Sequence, residues 1–235
     1  MNLNSIHRSV LILCILLFFS PSICNTPAQA ETPIKQVALT FDDGPYGAPT
    51  IEILNILKNE NVNATFFVIG ENVKKYPEIA KEIVADGNVI ANHSYDHPKN
   101  MDTLSLKQFN KELGATEDAI FSATDLRPLL FRAPYGKISP EMITDLGENN
   151  YTLVRWTVDP EDWNYPKSPT DLIEKTVLEQ AKPYSIILFH DGRDTHINYP
   201  RYNTIEALPN IIETLKKEGY SFTTIDKLLE VNAYK

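Results

Sequence analysis

Residues 36–45 read "QVALTFDDGP". An apolar run, Val37 to Phe41, ends in two adjacent carboxylates, Asp42 and Asp43, and then in Gly44 and Pro45. A short apolar run closed by turn residues predicts a strand, and Asp-Gly-Pro is sufficient chemistry for the turn that stops it. One aspartate would serve that turn. Two side by side repel each other, so the second carboxylate needs a separate reason.

The same pattern recurs along the chain. Further apolar runs are "ATFFVIG" (64–70), "NVIANH" (88–93), "LLFRAP" (129–134), "YTLVRWTV" (151–158), "SIILFH" (185–190) and "SFTTI" (221–225). Between them lie segments such as "PTIEILNILKNEN" (49–61), "PEIAKEIVADG" (77–87) and "NTIEALPNIIETLKKEG" (203–219). Their apolar residues recur at three and four, the period of a helix with one buried face. Pro209 is expected to kink the last of these or to mark its true start. Seven strands alternating with helices predict an α/β fold with a parallel sheet, either closed like a barrel or open and doubly wound.

The first 30 residues read differently. His7 and Arg8 precede the unbroken apolar run Val10 to Phe19, Pro21 breaks it, and Ala28, Gln29 and Ala30 offer a small-residue cleavage site before Glu31. Ten apolar residues are too few for a membrane span, which needs about 18, so 1–30 is expected to be a secretory signal peptide. Export of residues 31–235 as one catalytic domain follows, into a secreted, periplasmic or cell-wall-associated location, with no stable membrane span. Cys14 and Cys24 both fall in the leader, so the exported chain has no disulfide to rely on. Removing the leader takes away Arg8 and no acid, leaving 21 basic residues against 31 acidic, a net charge of −10. That balance argues against nucleic acid or an anionic membrane surface as partner.

In parallel β/α folds the chemistry gathers at the C-terminal ends of the strands. Asp42 and Asp43 follow the first run, His93 ends the third in "HSYDH", and Arg132 follows the fourth in "RAPYG". Asp159, Asp162 and Trp163 follow the fifth in "DPEDW", and His190 ends the sixth in "LFHD". Beyond the leader there are four histidines, at 93, 97, 190 and 196, and three stand at these strand ends. His93 and His97 lie four apart, one helical turn, a spacing from which both imidazoles reach one metal ion. With a carboxylate from the aspartate pair they make a three-ligand site with open positions, the pattern of hydrolytic zinc centres. The other aspartate is then available to take a proton from the attacking water.

"TFDDGP", "HSYDH", "RAPYG", "DPEDW" and "LFH", in that order, resemble the five signature motifs of the polysaccharide deacetylases, carbohydrate esterase family 4, which share the chitooligosaccharide-deacetylase (NodB-homology) domain. The resemblance covers about residues 36–230 and implies an irregular (β/α) barrel of about seven parallel strands. It implies Asp42 as catalytic base, with Asp43, His93 and His97 as metal ligands. Arg132 would orient the base, and the backbone N–H of Tyr135 would help stabilise the oxyanion. His190 would be the general acid, Asp162 its carboxylate partner, and Trp163 and Leu188 the walls of the acetyl pocket. The implied reaction removes N-acetyl groups from an N-acetylglucosamine-containing glycan, peptidoglycan or a chitin oligomer. The implied cofactor is a divalent metal, zinc first, with cobalt, nickel or manganese compatible with the same ligands.

Three alternatives share these residues: an acetyl-xylan esterase, a non-sugar amidase, and an inactive glycan-binding domain. The presence of both Asp42 and His190 argues against the last. Asp159 and Asp191 are expected to serve turns or caps. In the polar loop 191–203, Tyr199, Arg201 and Tyr202 are candidate sugar contacts, and His196 is expected to be a solvated loop residue.

Overall fold

A computed structural model of the chain describes residues 35–165, 167–192 and 201–235. The expected leader, His196 and Tyr199 lie outside the described residues. Seven strands form one sheet: β1 (Lys35–Asp42), β2 (Thr65–Val68), β3 (Val89–Asn92), β4 (Leu130–Phe131), β5 (Thr152–Leu153), β6 (Ser185–His190) and β7 (Tyr220–Phe222). Helices α1 (Gly47–Asn59), α2 (Gly70–Lys75), α3 (Pro77–Ala85), α4 (Leu106–Thr124), α5 (Pro140–Glu148), α6 (Thr170–Gln180), α7 (Tyr202–Lys217) and α8 (Ile225–Leu229) connect and flank them. Among the described residues no helix is long and apolar enough to cross a membrane.

The strands run in the order β5-β4-β3-β2-β1-β6, all parallel, with β7 added beside the first residues of β1. Past β5 the chain returns to β6. Val158 bridges Ile187, and the Leu188 N–H donates to the Val158 carbonyl at 3.0 Å. The sheet is therefore curled into an irregular barrel of parallel strands, not left open. The runs at 129–134 and 151–158 supply only two paired residues each, because the chain leaves the ladder early there to reach the rim and the seam.

Strand side chains alternate faces, and the two faces have different work. Val37, Leu39, Phe41, Phe66, Val68, Ile90, Ile187 and Phe189 point outward into the main core, against helix residues such as Ile53, Leu57, Ile83, Leu208 and Ile212. Ala38, Phe67, Ala91, Leu130 and Ile186 point inward and fill the lower barrel. The inward row of β1 therefore continues from Ala38 through Thr40 to Asp42, and that of β6 from Ile186 through Leu188 to His190. The sheet registers them opposite each other, Thr40 with Leu188 and Asp42 with His190. Pro209 lies inside one continuous helix that starts at Tyr202, so it does not mark the helix start.

Candidate active site

Asp42 ends β1 on the inward face and is 3% exposed. Arg132, just past β4, is fully buried beneath it, and its Nη1 donates to Asp42 Oδ1 at 2.7 Å and to Thr40 Oγ1 at 2.9 Å. The guanidinium lies over the Phe67 ring, 4.1 Å from its centroid. Burial pushes the Asp42 carboxyl above the usual aspartate range, and Arg132 pulls against that shift. The pair leaves Asp42 Oδ2 facing the cavity side, 3.7 Å from His93 Nε2.

Asp43 turns the other way. Its φ of 75° lies in the left-handed region, and Asn72 Nδ2 holds its carbonyl at 2.7 Å. Asp43 Oδ1 stands 3.6 Å from His93 Nε2 and 3.3 Å from His97 Nε2, and it has no hydrogen-bond partner among the described residues. The ligand atoms of Asp43, His93 and His97 all lie within 4.8 Å of one another, and all three residues are buried. Donors about 2.0–2.2 Å from a tetrahedral metal sit roughly 3.3–3.6 Å apart, so these three fit a divalent ion.

The histidines are prepared for that role by the groups around them. The Arg132 carbonyl lies 2.8 Å from His93 Nδ1 and can only accept, so Nδ1 carries the proton and Nε2 presents its lone pair. Burial, with His97 beside it, pushes His93 down to about 3, which keeps the ring neutral. The sequence spacing suggested a helical turn between His93 and His97. Instead the segment is a loop with positive φ at Ser94 (70°) and His97 (56°). Asn92 Oδ1 accepts from the Ser94 N–H, and Glu112 Oε2, projecting from α4, accepts from the N–H groups of Tyr95 and Asp96 at 2.9 and 3.1 Å. Asn92, Glu112 and Asn72 were not singled out in the sequence, since each reads there as an ordinary polar residue.

On the opposite side His190 Nδ1 bonds Asp162 Oδ1 at 2.6 Å, and the His190 N–H donates to Asp162 Oδ2 at 2.9 Å. Thr204 on α7 donates to the same Oδ2. Burial alone would lower the imidazole pKa, but Asp162 outweighs it and raises His190 above the ordinary histidine range. Burial would likewise raise Asp162, and His190 outweighs it and holds the carboxyl low. The imidazole is thus held by a carboxylate on the side away from the cavity, and that partner favours its protonated form.

The cavity itself is about 300 Å³. Asp42, Asp43, His93, His97, Tyr135, Trp163, Leu188 and His190 line it, together with Ala133, Trp156, Asp159 and Arg201. Arg132 and Asp162 stand behind Asp42 and His190. Leu188 is buried, whereas Trp163 is 43% exposed at the mouth. Tyr135 has a φ of 56°, and its ring lies 4.7 Å from that of His97. Asp159 Oδ1 accepts from the Glu161 N–H at 2.8 Å, the turn role expected of it. Asp191 is buried and receives a 2.6 Å hydrogen bond from Thr50, and burial pushes it up to about 7. Arg201, a candidate sugar contact, lines the cavity but is 6% exposed and turned toward Asp43. Trp156, not singled out in the sequence, lines the cavity and lies beside Arg132.

Fold and site together define a parallel β/α barrel with a buried two-histidine, one-aspartate cluster flanked by an aspartate and a carboxylate-paired histidine. The polysaccharide deacetylase family model matches residues 29–154, and the chain belongs to that family. It is 36% identical over 197 residues to a peptidoglycan-N-acetylglucosamine deacetylase of Bacillus cereus, covering 84% of this chain and 69% of that one. It spans only about two fifths of the length of other, longer relatives. The solved structure of the Bc1960 peptidoglycan N-acetylglucosamine deacetylase superposes with a TM-score of 0.80 at 35% identity, covering 86% of this chain and 92% of that one. A family 4 pseudoenzyme from Bacillus anthracis also superposes, with a TM-score of 0.75 at 34% identity, covering 84% of this chain and 66% of that one. Fold similarity therefore extends to an inactive relative, and a functional conclusion has to rest on the site.

Proposed function

We propose that this chain is an exported, zinc-dependent deacetylase that removes N-acetyl groups from an N-acetylglucosamine-containing glycan of the peptidoglycan or chitin type. The observation that carries the reading is the register of Asp42 with His190 across β1 and β6, beside the Asp43–His93–His97 cluster. A binding domain has no need of an acid–base pair in that position. Export rests on the leader pattern of residues 1–30, and zinc on the two imidazoles and one carboxylate.

Bound between Asp43, His93 and His97, the metal supplies Lewis-acid polarisation of the amide carbonyl. Asp42 takes the proton of the water whose oxygen adds to the carbonyl carbon. Arg132 holds Asp42 Oδ1, which directs the other oxygen at that proton and opposes the burial that disfavours the ionised base. The Tyr135 N–H, from a residue that lines the cavity, would stabilise the developing oxyanion, the role oxyanion donors serve in acyl transfer. As the C–N bond breaks, His190 passes its Nε2 proton to the departing nitrogen, so the products are acetate and a free amine. Leu188 and Trp163 give the acetyl methyl an apolar wall.

The test is acetate release by the purified protein, metal-stripped and zinc-reloaded, on chitooligosaccharides, peptidoglycan and acetylated xylan in parallel. Zinc-dependent acetate from a glucosamine glycan, abolished in Asp42→Asn, is the expected result. Release from xylan alone would make the enzyme an esterase. Silence on all three with zinc bound, or full activity in Asp42→Asn, would overturn the reading.

A further inference from the structure

The described residues contain two buried arginines, and each faces one member of the aspartate pair. Arg132 serves Asp42. Arg201, 6% exposed at the residue before α7, faces Asp43. Its Nη2 lies 3.6 Å from Asp43 Oδ2, the oxygen that points away from the histidines. Its Nε donates to the Gly192 carbonyl at 2.7 Å. The strap continues from there, because the N–H groups of Asp191 and Gly192 both donate to the Asp42 carbonyl at 3.1 and 3.3 Å. Gly192 is pressed against Asp43 so closely that a Cβ on it would lie 1.9 Å from the Asp43 carbonyl oxygen. One guanidinium thus ties the end of β6 to the carboxylate at the end of β1.

We propose that Arg201 is the positioning residue of the metal-binding aspartate, an inference that rests on Asp43 as a metal ligand. A carboxylate offers two oxygens and rotates readily about its last bond. With Oδ2 drawn toward Arg201, Oδ1 alone is left to the two Nε2 atoms, and it is Oδ1 that lacks a protein partner. The planar fork is needed because Nε and Nη2 reach the backbone and the carboxylate at once. An ammonium has the charge without that geometry. Arg201 also sets a buried cation beside Asp43, whose other carboxylate oxygen stands near two imidazoles.

The experiment is zinc titration against a chromophoric chelator in the full chain carrying Arg201→Gln, Arg201→Lys or Asp43→Ala, with the melting temperature of each metal-free protein measured alongside. Loss of an orienting partner typically costs 10–100-fold in metal affinity. Arg201→Gln is expected to weaken zinc binding by about that factor, with KM for the glycan at saturating zinc close to wild type. Arg201→Lys keeps a buried cation and guards against a variant that fails to fold; it too is expected to bind zinc more weakly. Wild-type or tighter affinity in Arg201→Lys would overturn the proposal, as would a change confined to KM. Asp43→Ala separates the two readings. If it binds zinc normally, Asp43 is no ligand; if it loses zinc while both Arg201 variants keep it, only the role of Arg201 falls.

Discussion

Replacing Arg132 by Met tests how the base is held in the barrel. Arg132 is fully buried and Asp42 is 3% exposed, so the substitution leaves a buried carboxylate without its hydrogen-bonded counter-ion. It removes the 2.7 Å bond to Asp42, the 2.9 Å bond to Thr40 and the guanidinium stacked over Phe67, while an unbranched apolar side chain keeps much of the volume filled. Breaking one side of a buried pair costs about 3–5 kcal/mol, chiefly because the other charge stays buried. At a urea slope of about 3 kcal/mol per molar, that is a fall in midpoint of roughly 1–2 M. The sign with pH follows from Asp42. Its folded pKa is already raised, so stability falls as pH climbs from the unfolded value through the folded one, and without Arg132 that pKa rises further. The deficit of Arg132→Met is therefore smallest in acid and largest at neutral pH. Urea melts of metal-stripped protein at several pH values, with Asp42→Asn and the double variant, close a double-mutant cycle. The double variant is expected to recover most of the loss. A cost below about 1 kcal/mol for Arg132→Met, or single costs that simply add, would refute the account.

Two other perturbations are as direct. Asp162→Asn removes the group that raises His190, leaving burial to lower it, so the alkaline limb of kcat/KM moves to lower pH and activity above neutral falls on the order of 10²-fold. The stability that the charged His190 contributes, present below the unfolded histidine value and lost as pH rises through the folded one, goes with it; an unmoved pH profile would show that Asp162 does not set the acid. Gly192→Ala forces a methyl against Asp43 backbone at 1.9 Å and is expected to cost about 1–3 kcal/mol and to weaken metal binding. Gly114→Ala, inside α4 with open space around it, is expected instead to stabilise by about 0.5–1 kcal/mol, and thermal melts of the two decide whether close approach or helix propensity governs these glycines.

What was legible in the sequence was whatever a local pattern carries. The apolar runs marked the strands, and in a parallel β/α fold the chemistry gathers at their C-terminal ends. That is why Asp42, Asp43, His93 and His190 could be picked out at strand ends. Spacing misled where it stood in for geometry: four residues between His93 and His97 suggested a helical turn, but positive φ at Ser94 and His97 closes the gap instead. Run length misled at β4 and β5, because an apolar run continues after pairing stops.

Partnership was the part no local pattern could carry. Asp42, Asp43, Asp162 and Asp191 are all buried within one small volume, a concentration of acid that would not persist in a low-dielectric interior unaided. Each is matched separately: Asp42 by Arg132, 90 residues away in the chain; Asp162 by His190, 28 away; Asp191 by a hydroxyl from Thr50, 141 away; and Asp43 by Arg201 on one side and the two imidazoles on the other. Only a sheet that sets β1 between β2 and β6 brings such distant residues into contact. In the sequence Arg132 and Asp162 are matched to their partners only through the family resemblance, and Arg201 reads as a candidate sugar contact in a polar loop because the carboxylate it faces, Asp43, stands near the other end of the chain. Of the four, Asp43 and Asp191 each keep a buried carboxylate oxygen without a hydrogen-bond donor among the described residues, and of the two it is that of Asp43 that faces two imidazole nitrogens. Asp43 is therefore the acid of the four at which a bound cation would add the counter-charge.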